Sequence, residues 1–97
     1  MNIPKAVCTG TFTWFIKKVK ALFMSDGEQA GITDRDRLTI SISTNTAKQN
    51  LEETFVHELL HAMFYEAGLR LDDELEHKII YALSPVILRT FRDNNIF

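Results

Sequence analysis

The segment from His57 to His61 reads H-E-L-L-H and has the residue types and spacing of a catalytic zinc site. The surrounding residues are typical of a helix, where side chains four positions apart lie on one face. Both imidazoles can therefore bind a single Zn²⁺. Glu58 follows the first histidine directly and is placed to take a proton from a water that the metal activates. The pattern indicates a zinc hydrolase with Glu58 as its catalytic base.

A third ligand must follow the motif, because a catalytic zinc site usually has three protein ligands and one open position. On a helical wheel, Glu76 falls in the middle of the apolar arc of a second predicted helix, whereas His77 falls on the other side. A carboxylate buried there needs a cation or hydrogen-bond donors. We therefore predict His57, His61 and Glu76 as the ligands of one Zn²⁺ per chain. His77 is the second choice, and a buried salt bridge from Glu76 to an arginine such as Arg70 or Arg89 is the alternative.

The helix that carries the motif has recognisable ends. Residues 46–49 fit a capping box, with Gln49 three positions after Thr46. Gly68 is a typical residue just beyond a helix C-terminus, so the helix is expected to end at Ala67. Apolar side chains share one arc of this helix, and the motif lies on the neighbouring arc. The apolar arc consists of Val56, Leu59, Leu60, Met63, Phe64 and Ala67.

The second helix is expected to start at Asp72 or Asp73, either of which can cap its N-terminus. It should continue to about Arg92. Pro85 lies inside it, removes one backbone hydrogen bond, and is expected to kink the helix near Ser84 or split it in two.

The first half of the chain predicts a small sheet. Residues 11–20 are rich in aromatic and β-branched types, residues 29–33 form a second candidate strand, and residues before 11 a third. Residues 38–43 alternate apolar and hydroxyl side chains with period two, which indicates a strand with one buried and one polar face. Residues 34–37 are polar and are expected to form a hairpin connection.

Length and composition limit the class of protein. The chain has 97 residues with 45% hydrophobic residues, which predicts a single domain spanning residues 1–97. Its net charge of −2 and the lack of a concentrated basic face argue against a nucleic-acid partner. No apolar stretch approaches the roughly 18 residues needed to cross a bilayer, and no signal-peptide pattern is visible, so we expect no membrane partner and a cytoplasmic location. Cys8 is the one cysteine and is expected to be a small core residue, not a metal ligand.

These residues resemble the small zinc metallopeptidases encoded by phages and prophages, which are related in pattern to the ImmA/IrrE-like and SprT-like minimal zincins. The resemblance covers most of the chain from Gly31 onward, and loosely the N-terminal strand. It rests on the motif segment and its neighbours, namely residues 38–42, 53–62, 67–69, 76–77 and 93–94. A phage origin would place the protein in the host cytoplasm.

The resemblance implies an α+β, minimal zincin-like domain, in which a small sheet of three to four strands packs beside two helices with the metal between them. It implies the gluzincin pattern, with His57, His61 and Glu76 as ligands and Glu58 as general base. The expected function is a zinc-dependent metallopeptidase that hydrolyses bonds in a peptide or protein substrate. The resemblance further implies that residues 38–43 form an edge strand that pairs with an extended substrate. Tyr65 and His77 are candidate contacts to the substrate or to a ligand.

Two other classes compete with the peptidase. A zinc-binding regulatory or interaction module of phage origin would need no turnover, and the small size of the chain leaves little wall for a cleft. A structural zinc would usually have four protein ligands, often including cysteine, so Cys8 would have to supply the fourth. An open cleft beside the metal, as opposed to one filled by a partner surface, distinguishes the peptidase from the interaction module. The sequence sets neither the substrate nor the oligomeric state.

Overall fold

Segments rich in aromatic and β-branched residues form the longer strands, and the second half of the chain forms two helices. The computed structural model describes residues 1–97 and has an α+β fold, as predicted. In chain order its elements are β1 (Ala6–Cys8), β2 (Thr13–Val19), β3 (Leu22–Met24), β4 (Gly27–Gln29), β5 (Gly31–Asp34), β6 (Thr39–Ser43), α1 (Lys48–Glu66) and α2 (Asp73–Asp93).

The main sheet has four strands in the order β1-β2-β6-β5. It is mixed, because β2 and β6 run parallel while the outer pairs are antiparallel. Strands β3 and β4 form a separate two-stranded sheet. The expectation that residues 38–43 form an edge strand is wrong, since β6 lies between β2 and β5. Alternation with period two reveals which face of a strand is buried, but not which strands lie beside it. The edge strand on this side of the sheet is β5.

Helix α1 packs between the sheet and α2, with contacts to β5, β6 and α2. Trp14 of β2 and Ile40 and Ile42 of β6 are fully buried on the sheet face that it covers. Because α1 is covered on two sides, Phe55 is buried although it lies outside the predicted arc. Met63 lies near the middle of that arc but in the last turn of the helix, and it is exposed. The helix that carries the motif is thus the centre of the fold.

The C-terminal end of α1 agrees with the prediction, and the N-terminal end does not. The capping box is not formed. The N-cap is Ala47 without a side-chain hydrogen bond, and the Thr46 hydroxyl instead accepts a hydrogen bond from Nδ2 of Asn50 at 2.9 Å. At the other terminus Gly68 adopts a φ of 72°, the left-handed conformation that glycine allows, and α1 stops as expected.

Helix α2 begins as predicted, because the Asp72 carboxylate accepts a hydrogen bond from the Leu75 amide at 2.9 Å. It continues through Pro85 as one helix, so the expected split is absent. A stripe with a spacing of four residues faces the core, and the apolar side chains of Leu83 and Val86 beside it are exposed. The stripe consists of Glu76, Ile80, Ser84 and Leu88. It is narrow because a single neighbouring helix, α1, covers it. Neither helix combines the length and the apolar character needed to span a membrane.

Candidate metal centre

Three histidines from the two helices converge in the space between them. His57 and His61 come from α1 and His77 from α2, and one ring nitrogen of each lies within 4.8 Å of the others. Nitrogen ligands about 2.0–2.1 Å from a tetrahedral zinc are themselves roughly 3.3 Å apart, so a small closing movement suffices. The three histidines therefore lie close enough to bind a metal ion. Cys8 is exposed on β1 and is not part of the cluster, which corrects its predicted place in the core and leaves a structural site without a cysteine ligand.

Hydrogen bonds fix the tautomers of two of these rings. Nδ1 of His77 lies 2.9 Å from the carbonyl oxygen of Asp73. Nδ1 of His61 lies 2.5 Å from Oε2 of Glu76. A carbonyl or a carboxylate oxygen accepts, so in both rings Nδ1 carries the proton and the lone pair of Nε2 is free for a metal. The donor set thus fits a zinc ion, which commonly binds imidazoles that are held in this way.

Glu76, the predicted third ligand, lies behind His61. Its side chain is buried, with the residue 8% exposed, as its position on the apolar arc predicted. Its partner is the imidazole of His61, and the alternative salt bridge to Arg70 or Arg89 is not formed. His77, the second choice, occupies the third position of the cluster. Which of Glu76 and His77 binds the ion directly stays a prediction for experiment.

Glu58 lies beside the cluster and is also 8% exposed. Its Oε1 accepts a hydrogen bond from the Thr33 hydroxyl at 2.8 Å, and its Oε2 is 4.0 Å from Nε2 of His57. Burial raises the pKa of Glu58, and the Thr33 hydrogen bond opposes that shift in part. A carboxylate whose pKa is raised toward neutrality is a better general base than a solvated one.

Burial has the opposite effect on His57. Desolvation, followed by the positive charge that His61 and His77 carry when protonated, lowers the pKa of His57 to about 4. The ring is therefore neutral near pH 7 in the metal-free chain. Neutral imidazole is the form that binds metals.

The edge strand β5 approaches α1 closely at Gly31. A Cβ atom at that position would lie 2.6 Å from Cγ2 of Thr54 and 2.9 Å from Cγ of Glu58. The close approach also brings Thr33 within hydrogen-bonding distance of Glu58. In the pairing with β6, the Ser43 amide donates to the Ala30 carbonyl, so the backbone groups of Gly31 and Thr33 point to the free edge.

A cleft of about 470 Å³ opens beside the histidine cluster. This volume falls within the roughly 300–1,000 Å³ of typical ligand sites. The walls come from the segment around β5 on one side and from the two helices on the other. Besides the three histidines and Glu58, the lining residues are Gln29, Ala30, Gly31, Glu53, Thr54, Tyr81, Ser84 and Pro85.

The tyrosine that lines this cleft is not the one that the sequence indicated. Tyr65 stacks on Phe12 at a centroid distance of 6.1 Å and lies edge-on to Trp14, outside the cleft lining. Tyr81 lines the cleft, is 69% exposed, and has its ring centroid 5.0 Å from that of His57. Tyr81 was not among the predicted site residues, although it follows His77 by four residues and so shares its helix face. Thr33 was also missed, and no sequence pattern singles it out.

Comparisons with known proteins add no relative. No protein-family model, no curated protein and no solved structure matches this chain. The resemblance to the minimal zincins therefore stays a prediction. The proposed chemistry rests on the geometry of the histidine cluster.

Proposed function

We propose that the protein is a zinc-dependent metallopeptidase that hydrolyses peptide bonds. The observation that carries this proposal is the cluster of three histidines beside a buried glutamate at the wall of an open cleft. Because the cleft is open, a substrate can reach the metal. A structural zinc site is closed by its protein ligands and needs no such opening.

His57, His61 and His77 hold the ion in this proposal. Glu76 orients His61 through its hydrogen bond to Nδ1, and the Asp73 carbonyl orients His77 in the same way. When bound, zinc polarises the scissile carbonyl and lowers the pKa of the attacking water to about 7.

Glu58 acts as the general base. It takes the proton from the attacking water and later delivers it to the leaving amine. The Thr33 hydroxyl holds Oε1 in place, so Oε2 is the oxygen on the side of His57 that receives the proton. The buried position of Glu58 supports this role, since burial raises its pKa.

The substrate is held by the edge of the sheet and by α2. An extended peptide pairs with the free backbone groups of Gly31 and Thr33, which replaces the pairing with residues 38–43 expected from the sequence. Across the cleft, the Tyr81 hydroxyl donates a hydrogen bond to the carbonyl oxygen as negative charge develops on it.

The experiment that tests this function compares wild type with Glu58→Gln on a broad peptide library, read by mass spectrometry. The amide has the shape of the acid but cannot accept the proton. We expect cleavage to fall by about 10²–10⁴-fold while zinc content and fold are unchanged. Glu74→Gln, which removes an exposed acid outside the cleft, is the matched control and should cleave as wild type does. Cleavage at the wild-type rate by the Glu58→Gln protein would exclude the mechanism.

A zinc-binding interaction module is the second candidate function. Large apolar side chains are exposed on the sheet side of the molecule, namely Phe15 on β2 and Phe23 and Met24 on β3, with Phe23 72% exposed. Exposed apolar side chains that form one contiguous patch are typical of surfaces that bind other proteins. Zinc-loaded wild type that cleaves nothing in the library would favour this candidate over the peptidase.

A further inference from the structure

Acidic side chains line the cleft beside the histidine cluster. Its lining contains Glu53 and Glu58 but neither lysine nor arginine. Glu58 is buried and hydrogen-bonded to Thr33. Glu53 is exposed and takes part in none of the salt bridges or side-chain hydrogen bonds of the chain. It is therefore a free charge available to a ligand.

The position of Glu53 relates it to the histidine cluster. It precedes His57 by four residues on α1, so both side chains lie on the same helix face, about 6 Å apart along the axis. Gln29, Ala30 and Gly31 form the opposite wall of the cleft. In the proposed peptidase the cleaved bond lies at the metal, beside His57. An extended peptide advances roughly 3.3 Å per residue, so a peptide that runs along α1 from that point passes Glu53 after about two residues.

We propose, on the basis of the peptidase function above, that the substrate carries a lysine or arginine within about two residues of the cleaved bond and that Glu53 binds it. A carboxylate in a cleft attracts a basic side chain and repels an acidic one, so it selects by both effects. Glu53 is thus a specificity-determining residue and takes no part in the chemical step.

The test uses matched peptides that differ at one position, with lysine, glutamine or glutamate placed in turn at the two residues on each side of the cleaved bond. Cleavage is measured with zinc-loaded wild type as kcat/KM. Binding is measured by fluorescence anisotropy with zinc-loaded Glu58→Gln, so that affinity is read without turnover. An exposed ion pair is worth up to about fivefold, so lysine should exceed glutamine by about that factor at one position, with glutamate weakest.

Substitutions of Glu53 give the decisive comparison. Glu53→Gln should remove the preference, and Glu53→Lys should reverse it in favour of the glutamate peptide. Glu74→Gln, outside the cleft, should keep the wild-type preference. Raising the ionic strength should weaken the preference, because salt screens exposed charges.

Two results would overturn the inference. Equal affinity for the lysine, glutamine and glutamate peptides at every position would show that Glu53 selects nothing. A lysine preference that persists in Glu53→Gln would assign the selection to another group. Failure of wild type to cleave any peptide contradicts the peptidase function instead, and the binding measurement still decides the role of Glu53.

Discussion

At the scale of single residues, two hydrogen bonds set the tautomers of two histidines in the cluster. The Glu76 carboxylate and the Asp73 carbonyl each accept from an Nδ1–H, of His61 and of His77 respectively. Both rings then leave Nε2 free for a metal, and a small closing movement brings the ring nitrogens to coordination distance. The buried carboxylate of Glu76 thereby has a partner, the imidazole of His61.

This arrangement predicts an order of effects on zinc affinity, measured by chelator competition. Glu76→Ala should weaken binding by about 10–100-fold, since it removes a group that orients a ligand. Glu76→Gln should weaken it less, because the amide oxygen still accepts from Nδ1 of His61. His77→Ala should weaken it more than either, since it removes a ligand. A larger loss in Glu76→Ala than in His77→Ala would make Glu76 the third ligand, with circular dichroism confirming that each variant is folded.

The residue scale also marks how much of the site the sequence can reveal. The spacing of His57, Glu58 and His61 identifies the motif, because helix periodicity alone puts these side chains together. It does not decide between Glu76 and His77, since the wheel gives the direction in which a residue leaves the helix but not the atom that its head group contacts. Tyr65 and Tyr81 illustrate the same point, each following a histidine by four residues, and packing on Phe12 draws only Tyr65 away.

At the scale of elements, the distance between β5 and α1 decides whether Glu58, the proposed general base, is correctly placed. Gly31→Ala introduces a methyl group 2.6 Å from Cγ2 of Thr54 and 2.9 Å from Cγ of Glu58, so β5 or these two side chains must shift. We expect a loss of about 1–3 kcal/mol in the free energy of unfolding, measured by urea denaturation, and slower cleavage.

A second variant separates crowding from other effects of alanine. Gly31→Ala combined with Thr54→Ser removes the nearer of the two contacted carbons and should recover part of the lost stability, whereas Thr54→Ser alone should change little. Full stability in Gly31→Ala would show that β5 does not need its close approach to α1.

The positions of the helices and strands along the chain could be predicted more fully than the pairing of the strands. Strand β2, strand β6 and both helices follow from local patterns of residue type. The place of β6 inside the sheet does not, because it depends on a parallel pairing with β2 between residues distant in sequence. The capping box at Thr46 is not formed for a local reason, since the Thr46 hydroxyl accepts a hydrogen bond from the Asn50 side chain instead.

At the scale of the whole molecule, the chain is small but still encloses a cleft, because the walls come from an edge strand and from two helices that meet at the histidines. A core of this size provides limited stability, so metal binding should contribute measurably. At a free zinc concentration 100 times the Kd, binding adds about 2.7 kcal/mol to the free energy of unfolding.

Removal of the metal should therefore lower the melting temperature by about 10 °C or more in a domain of this length. Differential scanning calorimetry with and without a chelator measures the shift. A double variant, His57→Ala with His61→Ala, should melt at one temperature whether or not zinc is present. An unchanged melting temperature in zinc-loaded wild type after chelation would argue against a metal bound within the fold.

The most direct measurement is anomalous diffraction at the zinc edge from crystals of the zinc-loaded protein. We predict one zinc ion per chain between α1 and α2, with nitrogens of His57, His61 and His77 about 2.0–2.1 Å away and Glu76 still bonded to His61. A zinc ion bound elsewhere, or no zinc between the helices, would contradict the metal centre on which the proposed function depends.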